Sequence, residues 1–161
     1  MSIVPPDSSF DQPSVTTEAF GPHGSYVRLA GELDLAYATH LGEAIGGEIS
    51  RGHRHLVIDL SQATFLDCAS IGTLLRAVAP LRHEPDAAVV LAGPTGIVQR
   101  LLDLLHLDRL FDILPDVDHA AEHATATDRQ RSDGWRRTSH GKLVAQPPQG
   151  RTQIAAAKAR R

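Results

Sequence analysis

Apolar positions recur along the chain in two alternating rhythms, and the switches between them mark out the elements. Residues 14–20 are weakly apolar and predict a first strand, followed by a Gly21-Pro22-His23-Gly24 turn. Tyr26-Val27-Arg28-Leu29-Ala30 alternates as a half-buried strand does and stops at Gly31. From Asp34 the period lengthens: Leu35, Ala38, Leu41, Ile45 and Ile49 recur every three or four residues, which predicts a helix with Asp34 as its N-cap and an end near Gly52. Residues 55–60 (HLVIDL) are a short branched-apolar run, the signature of a buried central strand. Ile71, Leu74, Leu75 and Val78 then predict a second helix, stopped by Pro80. Residues 87–92 predict another buried strand, Ile97, Leu101, Leu104 and Leu105 a third helix, residues 110–114 a short strand and residues 116–124 a last short helix.

The resulting order, β-β-α-β-α-β-α-β-α, predicts an α/β fold: one domain over residues 14–124 with a mostly parallel or mixed sheet covered by helices. Residues 1–13, polar and holding three prolines, are expected to be a flexible lead-in. Beyond about residue 125 the apolar period disappears, so residues 125–161 are expected to be a disordered tail with a transient helix at 154–161.

Composition narrows the class. Hydrophobic residues make up 42% of the 161-residue chain but aromatics only 4%, so the core must be aliphatic. No apolar run approaches the roughly 18–20 residues that cross a bilayer, and the start, MSIVPPDSSFDQP, lacks the pattern of a signal peptide. A single cysteine, Cys68, excludes an internal disulfide and any multi-cysteine metal site, and His53 and His55 have no third ligand at a convincing spacing. A cytoplasmic protein with no metal and no cofactor is expected. The net charge of −3 conceals an asymmetry: residues 124–161 hold nine Lys/Arg against two acids, and residues 1–123 hold seven against seventeen. An acidic body with a basic tail points to attraction between the two or to a separate partner for the tail.

Three stretches carry a family resemblance. They are Val27-Arg28-Leu29-Ala30-Gly31-Glu32-Leu33-Asp34, then Leu56-Val57-Ile58-Asp59-Leu60-Ser61 with Phe65-Leu66-Asp67, and then residues 97–114. In this order and at this spacing the chain resembles the STAS-domain anti-sigma-factor antagonists of bacteria over residues 14–124. The resemblance implies a small sheet with helices mainly on one side. It also implies binding, without catalysis, to an anti-sigma factor, usually a kinase-like ATP-binding protein, so that a sigma factor is released for transcription. Partner contacts would fall on Gly31, Glu32 and Asp34 and on Asp67, Cys68, Ala69, Ser70, Ile71 and Gly72. The family commonly has Asp-Ser-Ser/Thr-Gly-Leu where this chain has Asp67-Cys68-Ala69-Ser70-Ile71, so the usual phosphoacceptor position is Ala69. Either Ser70, expected to be exposed at a helix N-terminus, is the phosphorylation candidate in its place, or the protein binds constitutively. The second reading is preferred, because a hydroxyl shifted by one residue must still reach a γ-phosphate.

Other readings of the same residues are open at this point. Asp34 and Asp67 are helix caps in any case, and Asp59 suits a solvated carboxylate at a strand end. Cys68 at a helix start suits a redox switch, though a small residue in the place of serine is the simpler reading. Asp67, Ser70 and a histidine lack the Gly-x-Ser-x-Gly elbow of a hydrolase. Gly93-Pro94-Thr95-Gly96 lies between strand and helix, where an anion can bind, and a nucleotide-binding sensor is one alternative; it lacks the Lys-Ser/Thr of a phosphate loop. STAS-like domains also serve as subunits of membrane transport ATPases, including those of lipid transport, which need no phosphoacceptor. The basic tail has charge suited to nucleic acid but no recognisable binding motif, and direct DNA binding is not expected.

Overall fold

The computed structural model describes residues 12–132, with side chains through Ala126, and the backbones of 135–137 and 143–145. Strands β1 (Ser14–Phe20), β2 (Gly24–Leu33), β3 (His55–Leu66), β4 (Ala88–Ala92) and β5 (Asp112–Leu114) form one sheet in the order β1-β2-β3-β4-β5. β1 pairs antiparallel with β2 across the tight Gly21–Gly24 turn, and every later pair is parallel. The helices are α1 (Leu35–Ser50), α2 (Cys68–Val78), α3 (Gly96–Leu104) and α4 (Val117–Ser132). Short 3₁₀ turns at Ala79–His83 and Leu107–Arg109 follow α2 and α3.

Strand neighbours in sequence order fix where the helices go. Right-handed crossovers between successive adjacent parallel strands all fall on one face of the sheet. The packing follows that rule: α1, α2 and α3 share one core with Val27, Leu29, Leu56, Ile58, Leu60 and Leu91. α4, which comes after the last strand, covers the other face, where Ala120 and Ala124 meet Val57, Val90 and Ala92. The alternation Leu56-Val57-Ile58 along β3 divides these residues between the two faces, as the period of two in a strand requires. The expected α/β fold, with a mixed sheet and helices mainly on one side, is the one formed.

Boundaries differ from expectation in four places. β2 continues past Gly31 to Leu33, and β3 past Leu60 to Leu66, immediately before Asp67. Register shifts between Arg28 and Ala30 and between Gly31 and Glu32 keep the two strands paired along this extension. α4 runs to Ser132 rather than ending at 124, and the strand expected from 110 begins at 112 because a 3₁₀ turn precedes it. Backbones at Trp135–Arg137 and Leu143–Ala145 pair antiparallel. Residues 1–11 of the expected 1–13 lead-in and the expected helix at 154–161 lie outside the described residues.

Two helices also turn differently about their axes. Leu35, expected inward, is 70% exposed, because the sheet-facing side of α1 begins at Ala38 and continues through Leu41 and Ile45 to Glu48. α3 rests on Val98 and Leu102, which leaves Ile97 and Leu104 facing out.

Candidate functional site

Because β2, β3, β4 and β5 are parallel, the N-termini of all four helices gather at one pole, beyond the carboxyl ends of these strands. Ligands of open α/β sheets favour this pole. Helix N-termini leave backbone N–H groups unpaired and carry partial positive charge, so carboxylates are stable there. This chain supplies three: the Asp34 side chain accepts from Ala36 N–H (2.9 Å), Asp67 from Ser70 N–H (2.7 Å) and Asp116 from Asp118 N–H (2.8 Å). Glu32 and Asp118 are exposed close by in sequence. The Ser70 backbone N–H, foremost, holds the Asp67 carboxyl below its ordinary value of 3.8. The pole is thus acidic at physiological pH, and its charge is anchored by helix capping.

β2 and β3 carry the two caps side by side. Their parallel register sets Glu32 against Phe65 and Leu33 against Leu66, so Asp34 and Asp67 follow directly from neighbouring strand ends. Leu33 and Leu66 are buried, whereas Phe65 is 40% exposed and Leu35 stands out beyond the Asp34 cap. Two large apolar side chains thus flank the paired carboxylates. Sequence periodicity missed both. Leu35 fits the α1 period but precedes the first turn that touches the sheet, and the register shifts in β2–β3 upset the inside-outside count that would otherwise place Phe65. The usable signal for Leu35 is its position immediately after the capping residue.

The structure separates the remaining site residues by accessibility. Cys68 is exposed, Ala69 and Gly72 are half-buried, and Ile71 is buried in the core. Gly31 is also buried, at φ +75°, with the Pro13 backbone 3.0 Å from where a Cβ would stand; its role is to let β2 bend under the preceding segment. Ser70, expected to be exposed, is 1% exposed, because it lies on the inner face of α2 one residue before Ile71. Its hydroxyl donates to the Leu33 carbonyl at 3.0 Å and lies 3.4 Å from the Asp34 carbonyl. Ser70 therefore ties the start of α2 to the end of β2. Asp59, expected to be solvated, is 6% exposed and accepts from Ser61 N–H (2.9 Å) and the Ser61 hydroxyl (2.6 Å).

The Gly93–Gly96 segment is a packed turn. Gly93 N–H donates to the Leu114 carbonyl at 2.8 Å, Pro94 has no N–H to offer, and both residues are buried. The amides that an anion would need are thus spent or missing at its first two positions. Among the described residues, no group of three or more His, Cys, Asp or Glu is arranged to hold a metal ion, and no helix is long and apolar enough to cross a membrane.

Comparison with known proteins agrees with the fold and with the resemblance carried by the Gly31–Asp34 and Asp67 segments. Residues 16–120 match the model of the STAS domain family. The chain is 32% identical over 107 residues to the anti-sigma-F factor antagonist RsfB of Mycobacterium tuberculosis, covering 64% of this chain and 86% of that protein. It superposes on the crystal structure of an anti-sigma factor antagonist from Mycobacterium paratuberculosis with a TM-score of 0.60 at 31% identity, covering 71% of this chain and 95% of the other. SpoIIAA of Bacillus, an anti-sigma factor antagonist in its unphosphorylated form, shares the fold at 17% identity with a TM-score of 0.55, covering 68% of this chain and 96% of that one. With the family model spanning most of the chain and the mycobacterial relative matched over nearly its full length, the protein belongs to the STAS-domain family.

Proposed function

We propose that the protein is a non-enzymatic anti-sigma-factor antagonist: it binds a kinase-like ATP-binding anti-sigma factor and so frees a sigma factor for transcription. The observation that carries this reading is the acidic pole with its apolar flanks, Glu32, Asp34 and Asp67 beside Leu35 and Phe65, on a domain whose mycobacterial relative is an anti-sigma-F factor antagonist. Exposed apolar side chains next to anchored charges suit a protein interface: burial of the Leu and Phe supplies affinity, and the carboxylates select a basic complement. Glu32, Asp34, Leu35, Phe65, Asp67, Cys68 and Ala69 form the contact surface in this reading. Gly31, Ser70 and Ile71 hold that surface in place from beneath, and Gly72 lies at its margin.

Binding is constitutive with respect to the Ser70 region in this proposal. A phosphoacceptor must present its hydroxyl to a γ-phosphate, and the Ser70 hydroxyl is buried and bonded to the Leu33 carbonyl. The neighbouring Ala69 has no hydroxyl to offer. The test is to incubate the protein with its captured kinase partner and ATP, and then to determine its intact mass and map any phosphate. No phosphate within residues 67–72 is expected, and stoichiometric label on Ser70 would overturn the constitutive reading.

A further inference from the structure

Charge along the chain and the route of its last described elements both point at the acidic pole. Glu32, Asp34, Asp67, Asp116 and Asp118 stand there, and the first four residues of each of the four helices include no Lys or Arg. His119, the one histidine among them, is already held by Asp116 at 2.8 Å. Carboxylates elsewhere in the domain have a guanidinium beside them: Glu18 and Asp59 share Arg28, Glu48 has Arg51 and Glu84 has Arg54. Asp34, Asp67 and Asp116 are capped by neutral amides instead, so their charge is fixed in place without a cation to cancel it.

The complement lies in the same chain. Residues 146–161 hold Arg151, Lys158, Arg160 and Arg161 and no acid, with an apolar run, Ile154-Ala155-Ala156-Ala157, among them. The pole offers exposed Leu35 and Phe65 beside its carboxylates to receive such a run. The fold also sets the distance. α4 begins at the acidic pole, and its 16 residues carry the chain about 24 Å away at 1.5 Å per residue. Ala145 then comes back to pair with Trp135, three residues beyond Ser132. Residues 146–161 therefore have about 24 Å to cover in returning to the pole. A coil of that many residues averages roughly 22 Å from end to end and reaches about 55 Å at full extension. Matched reach and span give a tethered segment its highest local concentration, on the order of millimolar.

We propose that residues 146–161 dock on the acidic pole of their own chain and shield it from a partner. Docking follows from charge and reach; its effect on an anti-sigma factor rests on the function proposed above. The chain suits a direct test, because its only lysines are Lys142 and Lys158. Carbodiimide joins a lysine to a carboxylate only where the two touch, so the full chain is treated with it and the links are mapped by peptide mass. Links from Lys158 to Glu32, Asp34, Asp67, Asp116 or Asp118 are expected in chains of monomer mass. Their yield should survive about tenfold dilution, as an intramolecular contact does, and should be lost in about 1 M salt. Absence of these links, or a yield that falls on dilution, would overturn the proposal. For the shielding, a full chain carrying Arg151→Glu, Lys158→Glu, Arg160→Glu and Arg161→Glu is expected to bind the captured kinase-like protein at least about threefold more tightly than the wild type. Unchanged or weaker binding would overturn the shielding even with the links present. Failure of either chain to capture such a protein would contradict the proposed function instead, and the links alone would then decide whether the segment docks.

Discussion

Replacing Ser70 with alanine removes a hydroxyl that the Leu33 carbonyl accepts at the junction of β2 and α2. The Asp67 N–H still donates to that carbonyl at 3.4 Å, so the variant loses one hydrogen bond without orphaning the acceptor, and chemical denaturation of Ser70→Ala is expected to show a loss of about 0.5–1.5 kcal/mol with partner affinity in the folded protein little changed. Ser70→Asp is a different substitution: it forces a carboxylate into a site that is 1% exposed, beside two backbone carbonyls. It is expected to unfold the protein or to displace α2, so its effect on binding would report a structural lesion and would not mimic phosphate. Well-folded Ser70→Asp protein with wild-type thermal stability would contradict the placement of this side chain. The aspartates nearby read differently. Asp34 and Asp67 were legible in the sequence as caps, because an Asp directly before an apolar helical period has a local mechanism. Ser70 was not, since its role depends on a carbonyl 37 positions away.

At the scale of elements, Glu48 shows how the pole opposite the site is held. It is 2% exposed on the buried side of α1, paired with Arg51 and with His53 Nδ1 2.6 Å from its Oε2. Burial alone would raise its pKa, but hydrogen bonds with Ser25, His53 and Thr17 and the charge of Arg51 outweigh burial and hold it below 4.5. A carboxyl with a depressed folded pKa contributes stability that is complete above the unfolded value and is lost as pH falls through the folded one. Stability of the wild type is therefore expected to drop below about pH 4.5, and Glu48→Gln is expected to be less stable at neutral pH with a flatter profile in that acid window. An unchanged acid slope in Glu48→Gln would show that other carboxylates dominate. No local pattern announced Glu48, a charged residue at a position where α1 is buried. The sequence did contain the order of elements, because hydrophobic period is a local property. What it could not convey was rotation. Whether α3 rests on Val98 and Leu102 or on Ile97 and Leu101 is decided by the sheet beneath it, and several apolar residues compete for the same role. The ends of β2 and β3 were hidden for a related reason: register shifts break the alternation that marks a strand.

For the whole molecule, the four parallel strands explain why the proposed contacts fall at one pole. That arrangement brings four helix N-termini together, and aspartates cap three of them. Leu35→Ala and Phe65→Ala are expected to weaken partner binding by about tenfold each, roughly 1.4 kcal/mol, with little change in melting temperature for Leu35→Ala, whose side chain is 70% exposed, and a lower melting temperature for Phe65→Ala, whose ring is only 40% exposed. Equal affinity in both variants, measured by titration calorimetry, would move the interface elsewhere. The central claim is that the acidic pole holds the anti-sigma factor, and Asp67→Asn tests it most directly: asparagine caps a helix as well as aspartate does, so the charge is removed while α2 keeps its cap. The measurement is capture from an extract of the native cells, wild type against Asp67→Asn, with the bound proteins identified by mass. A kinase-like ATP-binding protein on the wild type, reduced at least about tenfold on Asp67→Asn, is the result predicted. Capture of that protein equally by both, or of no such protein by either, would contradict it.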